Sequence, residues 1–266
     1  MMNPYLKYVQ NIEAEFQAAK GISVSGRVEC KESSSKVLLF SPHPDDECII
    51  GLIALRLMRE AGMQVINVPV TFGSNVSRQA GRAKELEDAC AYLGWNNHIE
   101  QEDYQALEVD DVVRVLTKFQ PKVIIFPHSQ DWNSRHISTH HLLIDALKKM
   151  PTDFSCKVVE CEFWGAMDDP NLTVESDAET LADLVAATSL HVEEVDRNPY
   201  HLTLPAWMQD NVRRGGELVG GQGGAVPAFS FATLYRLRKW ANGELVSCLE
   251  KGTAIPMGES HLKELF

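Results

Sequence analysis

The chain has 266 residues, 44% hydrophobic and 23% charged, and its 37 acidic and 25 basic side chains leave a net charge of -12. That length and composition suit an ordinary globular α/β protein with a sizeable core. The acidic balance argues against nucleic acid or an anionic membrane surface as partner, while leaving room for a small anionic substrate held by local arginines.

The start, Met1 to Lys7, lacks a basic region followed by a long apolar core, so no signal peptide is expected. No uninterrupted apolar run reaches membrane-spanning length. Residues of about 4–20 read as a polar amphipathic helix within an N-terminal extension, 1–35, that ends in the linker Ser33-Ser34-Ser35. Strand-like apolar runs follow at Val37–Ser41, Val65–Phe72, Val123–Pro127 and Val158–Trp164. Helical patterns separate or follow them at Cys48–Ala61, Ser77–Leu93, Asp110–Phe119, His136–Met150 and Ala178–Glu193. This alternation predicts βαβ units and a mostly parallel sheet, and the unbroken apolar strands predict helices on both of its faces. From about residue 196 to 266 the pattern is looser. Asp196–Pro205 is turn-rich, the Arg213–Gly216 and Gly220–Gly224 segments read as flexible, and Val226–Leu237 returns to a β-like run. The six cysteines, Cys30, Cys48, Cys90, Cys156, Cys161 and Cys248, form no CxxC pair and are read as reduced thiols of a cytoplasmic protein.

Ligands in such sheets bind beyond the carboxyl ends of the strands. No GxGxxG or P-loop pattern follows the first strand, which argues against a dinucleotide or nucleoside triphosphate. Instead, Ser41-Pro42-His43-Pro44-Asp45-Asp46-Glu47 stands there, an imidazole and three carboxylates between two apolar elements. Buried carboxylates need a partner, so the cluster points to a bound cation and water chemistry. If a helix begins at Pro44, His43 and Asp46 converge on one point, as a neutral imidazole and a carboxylate do around a divalent metal, while Asp45 points to one side. The segment Asp131-Trp132-Asn133-Ser134-Arg135-His136, continuing to His140 and His141, is the expected source of a third ligand. His136 and His140, four apart, share a helix face and remain rivals for that place; His141 is turned away.

The first motif closely resembles the (A/S)HP-D-D-E signature of the LmbE-like, or PIG-L, N-acetylglucosamine deacetylases, and the Asp131–His136 segment is similar to that family's D-x-N-x-D-H motif. Gly81-Arg82-Ala83-Lys84-Glu85-Leu86 with Ala91-Tyr92-Leu93-Gly94 looks like its R-x-x-E…LG helix. The resemblance covers roughly residues 36–195 and implies a Rossmann-like three-layer αβα sandwich, with 1–266 as a single deacetylase domain. It implies Zn2+ held by His43, Asp46 and His136, with another divalent metal such as Fe2+ left open, and Asp45 as general base. It places Arg82 at the sugar and His191 near the pocket of a small amino-sugar substrate; Arg135, read from its own charge beside His136, is a third expected substrate ligand. Two departures stand out. Arg135 replaces an aspartate, and Asn133 stands where many members carry an oxyanion-stabilising histidine, a task its amide N–H would take over. A sugar-binding relative without catalysis and a non-haem iron oxygenase are the competing classes, the latter disfavoured by the His-x-x-Asp spacing and βα setting. Oligomeric state, a homo-oligomer included, is left open.

Overall fold

A computed structural model describes residues 5–26 and 33–266. Cys30 and the first residue of the expected N-terminal helix lie outside the described residues. The strands are β1 (Lys36–Ser41), β2 (Gln64–Pro69), β3 (Asn96–Asn97), β4 (Val123–Pro127), β5 (Cys156–Cys161), β6 (Leu172–Ser176), β7 (Phe231–Ala241), β8 (Glu244–Ser247) and β9 (Thr253–Ile255). The helices are α1 (Leu6–Ala19), α2 (Asp46–Ile49), α3 (Leu52–Ala61), α4 (Val76–Leu93), α5 (Val109–Phe119), α6 (Ser134–Lys149), α7 (Ala178–Ser189), α8 (Val192–Arg197), α9 (Leu204–Leu218) and α10 (Glu259–Leu265).

The described strands form one sheet in the order β3-β2-β1-β4-β5-β7-β6-β9, with β8 on β7. Strands β1 to β5 pair in parallel. Strand β7 runs antiparallel to β5, β6 and β8, so the sheet is mostly parallel with an antiparallel flank. Alternate side chains of β1 explain the layers, because successive residues of a strand face opposite sides. Val37 and Leu39 join the core beneath α2, α3, α4 and α7, while Leu38 and Phe40 join a second core beneath α5 and α6. Both faces are covered, as the apolar strands require. Chain order 3-2-1-4-5 reverses between β1 and β4, and the crevice beyond their carboxyl ends is the topological switch point of the sheet.

Several expected elements differ from those observed. The helix expected over Cys48–Ala61 is broken into α2 and α3 at Gly51, where a Cβ would lie 2.4 Å from the Glu47 carbonyl and 2.5 Å from the Trp95 ring. The Ala178–Glu193 helix ends at Ser189, where Thr188 and Ser189 hydroxyls donate back to the Leu184 and Ala186 carbonyls, and α8 begins only after His191. The Arg213–Gly216 segment, expected to be flexible, lies within α9. Its Gly215 lets that helix approach β6, since a Cβ there would meet Thr173 Oγ1 at 2.7 Å. The last β run begins at Phe231 rather than Val226.

Candidate metal and catalytic site

The Pro42–Asp46 turn leaves β1 at the switch point. His43 N–H donates to Asp46 Oδ2 at 2.9 Å, and His43 Nδ1 lies 3.2 Å from the same oxygen. Between them Asp45 takes φ 115°, ψ -36°, a conformation that few non-glycine residues adopt and that costs on the order of 1–3 kcal/mol. Such strain persists only where neighbours enforce it. Here the Asp45 N–H donates to Glu47 Oε2 at 2.9 Å, its carbonyl accepts from the Cys48 and Ile49 N–H groups, and its Oδ2 accepts from the Tyr200 hydroxyl at 2.6 Å.

The second half of the site leaves β4. Asp131 Oδ1 accepts from Asn133 N–H, and Asn133 Oδ1 accepts from Arg135 N–H, which starts α6. The first turn of α6 carries His136 into the crevice. Its Nε2 lies 3.3 Å from Asp46 Oδ2, and its Nδ1 lies 3.2 Å from Asp131 Oδ2. The donor atoms of His43, Asp46 and His136 all fall within 4.8 Å of one another. Nε2 of His136 is buried and, beyond its ion pair with Asp46, makes no well-formed hydrogen bond among the described residues, as a nitrogen kept for a ligand would. Two imidazole nitrogens and one carboxylate suit zinc or a similar divalent cation, and Asp131 behind the imidazole is the carboxylate that commonly orients such a ligand.

His140, the rival, turns elsewhere. Its Nδ1 lies 3.2 Å from the Pro127 carbonyl and 3.4 Å from Glu160, one turn further along the buried face of α6. His128 is buried and bonds the Gly165 carbonyl through Nε2.

The protonation equilibria follow from this crowding. Burial, then the charge of Asp46, pushes the Asp45 carboxyl up to about 8, against the opposing pull of His191 and Tyr200. Burial also opposes charge on Asp46, but His136 and His43 hold its carboxyl below the usual range. Burial opposes charge on the His136 ring, yet Asp46 and Asp131 raise it to about 10. Tyr200 is raised by burial and by Asp45, which keeps its hydroxyl a donor.

A cleft of about 480 Å³ opens over these groups. Its lining includes His43, Asp45 and Asp46, the aromatic Trp132 and Trp164 with Asn133, and the charged Arg78, Arg82, Glu194 and Arg197. Arg82 reaches it from α4 and donates to the Pro44 carbonyl at 3.2 Å; its ion pair is with Glu194 at 3.5 Å, not with Glu85 or Glu87 on its own helix. Trp132 is 71% exposed at the rim, its indole N–H on the Trp164 carbonyl.

Two expected substrate ligands stand outside the cleft. Arg135 is exposed on the outer side of the first turn of α6. His191 is completely buried, and its Nε2 bonds Glu47 Oε1 at 2.7 Å, behind the Asp45 turn. Tyr200 was not anticipated. Its signal in the sequence is slight, a tyrosine after Asn198-Pro199 in a turn-rich stretch.

Residues 38–147 match the family model described as PIG-L, GlcNAc-PI de-N-acetylase. No curated protein sequence matches the chain significantly. Among solved structures, N,N'-diacetylchitobiose deacetylase from Pyrococcus horikoshii is similar at TM-score 0.58 and 15% identity, over 89% of this chain and 93% of that one. The 4-carboxy-2-hydroxymuconate hydratase GalB of Pseudomonas putida has the same TM-score, 0.58, and 15% identity over 76% and 95%. The zinc-inhibited form of teicoplanin deacetylase Orf2 aligns at TM-score 0.57 and 13% identity over 77% and 98%. At these identities the likeness is one of fold, and the family match covers the stretch that supplies His43, Asp45, Asp46, Arg82 and His136. Over residues 38–147 the chain is thus similar to the PIG-L family model, and its fold is that of the deacetylase structures it resembles.

Proposed function

We propose that the chain is a metal-dependent hydrolase that removes an acetyl or related acyl group from the amide nitrogen of a small N-acetylglucosamine-type sugar. The observation that carries this reading is the convergence of His43, Asp46 and His136 beside a strained, buried Asp45 in the lining of the cleft. A divalent cation such as zinc, held by those three side chains, supplies a polarised carbonyl and a water of lowered pKa. Asp45 then works as the base. Its Oδ2 is fixed by the Tyr200 hydroxyl, which leaves Oδ1 to accept the water proton and return it to the departing amine. The oxygen of Asn133 is occupied by Arg135 N–H, so its amide N–H groups are the ones directed to the developing oxyanion. Arg82 and Arg78, both paired with Glu194, offer charged donors to the sugar hydroxyls, and Trp132 and Trp164 add aromatic surface to the same cleft.

The hydratase neighbour supports a second reading on the same fold, in which water adds to a conjugated acid. One assay separates the two. Zinc-loaded protein is expected to release primary amine from N,N'-diacetylchitobiose or N-acetylglucosamine and to leave the absorbance of a 2-hydroxymuconate unchanged. Zinc-loaded protein that releases no amine from any N-acetylated sugar tested contradicts the deacetylase reading.

A further inference from the structure

Behind the catalytic turn lies a second group of polar side chains that the proposed chemistry does not use. Glu47 and His191 are both completely buried, and the Cys48 thiol donates to Glu47 Oε1 at 3.1 Å. The two oxygens of Glu47 have separate tasks. Oε2 accepts the Asp45 N–H at 2.9 Å, and Oε1 sits 2.7 Å from His191 Nε2. His191 is 144 residues away in the chain, at the joint between α7 and α8. Among the described residues it is the only basic group that pairs with Glu47.

We propose that His191 and Glu47 form a positioning pair that holds Asp45 in its left-handed conformation and so aims its carboxylate at the crevice. This rests on the reading of Asp45 as the base. A carboxylate buried this deeply stays in place only while its charge or hydrogen-bonding capacity is met. Without His191, Glu47 loses its only basic partner among the described residues and its carboxylate swings away. The Asp45 N–H then loses its acceptor, and an unsupported aspartate at φ 115° relaxes toward a commoner conformation. Neither residue lines the cleft or belongs to the metal-ligand set, so their loss is expected to act through the aim of Asp45 and to be felt first in proton transfer. This distinguishes a positioning role from a purely structural one. A structural pair would change melting temperature and leave kcat per folded, metal-loaded molecule intact.

The test compares zinc-loaded wild type, His191→Leu, His191→Gln and Asp45→Asn on N,N'-diacetylchitobiose, alongside crystal structures of the first three. His191→Gln keeps a neutral donor near Glu47 Oε1. In His191→Leu, kcat is expected to fall about 10- to 100-fold with KM within about 3-fold and zinc content unchanged, as for one lost hydrogen bond to a charged group. The Asp45 φ leaves its left-handed value, and His191→Gln recovers much of both. If His191→Leu folds with Asp45 still near φ 115° and with kcat unchanged, the proposal is overturned. If His191→Leu does not fold, His191→Gln decides. Retention of kcat and of the Asp45 conformation supports the pair, and a wild-type-like conformation with lost kcat contradicts it. An active Asp45→Asn enzyme would instead remove the reading of the base, while the crystallographic comparison still tests whether the pair holds the turn.

Discussion

The wall of the crevice that holds the metal-ligand set is assembled from short loops. His43 and Asp46 follow β1 within five residues, and His136 stands one helical turn into α6, nine residues beyond β4. The wall that holds the base is assembled at long range. Asp45 is fixed through Glu47 by His191 and directly by Tyr200, both from the stretch after α7, about 150 residues away. Ligands for a cation thus come with the sheet topology, whereas the aim of the proton-transfer group depends on the docking of a distant segment. Each wall therefore has its own mode of failure.

The largest effect is expected on the short-range wall. His136→Ala removes one donor of three and leaves Asp46 without its main buried partner. Metal retention after desalting and amine release should both be lost, and metal analysis of the variant reads this directly. Asp45→Asn should separate the walls most cleanly, with metal retained and kcat reduced about 10²- to 10⁴-fold, the usual span for general acid–base catalysis. Loss of metal in Asp45→Asn would show that Asp45 and Asp46 had been assigned the wrong way round.

A smaller effect is expected from Tyr200→Phe, which deletes one O–H donor to Asp45 and keeps the ring packed against Trp164. One hydrogen bond to a charged group is worth about 1.5–3 kcal/mol, so kcat should fall roughly 10- to 100-fold with KM little changed. An unchanged kcat would mean that the long-range wall does not set the aim of Asp45.

The smallest effect on catalysis is expected outside both walls, at Glu160 in β5. It pairs with Arg236 at 2.7 Å and Arg238 at 2.6 Å on the antiparallel flank. Burial opposes its charge, but the two arginines hold its carboxyl below the ordinary glutamate value. The folded-state value is depressed, so this stability is present above about pH 4.3, the ordinary unfolded value, and is lost as pH falls through the folded one. Melting temperature followed from pH 7 to pH 3 should fall less steeply on the acid side in Glu160→Gln than in wild type. At pH 7 the variant is expected to be less stable by about 3 kcal/mol, since breaking a buried pair strands its partner. Metal content and KM should not change.

The short-range wall was legible in the sequence for a physical reason. Apolar strands covered on both faces give unbroken runs, and a polar cluster at the exit of such a run has few roles other than a site. Choosing between His136 and His140 needed the structure, since both share the buried side of α6 and only the path of the Asp131–Asn133 turn decides which one meets Asp46. The long-range wall was hardly legible. His191 sat in what read as one continuous helix, and its use as a buried partner of Glu47 follows from the break at Ser189. Tyr200 lay in a stretch whose turn residues concealed a short 3-10 helix. Strand β6, Leu172–Ser176, escaped because it is short and mixes Leu172 and Val174 with polar Thr173 and Glu175. Gly215 read as part of a loop because its reason, close packing of α9 on β6, is a contact between residues far apart in sequence.

The metal-dependent role of His43, Asp46 and His136 is tested most directly by a zinc titration of chelator-treated protein, with bound metal and amine release from N,N'-diacetylchitobiose measured on the same samples. Saturation at one zinc per chain is expected, with activity rising in proportion and neither signal in His136→Ala. Full amine release in the chelated, zinc-free protein would contradict that role.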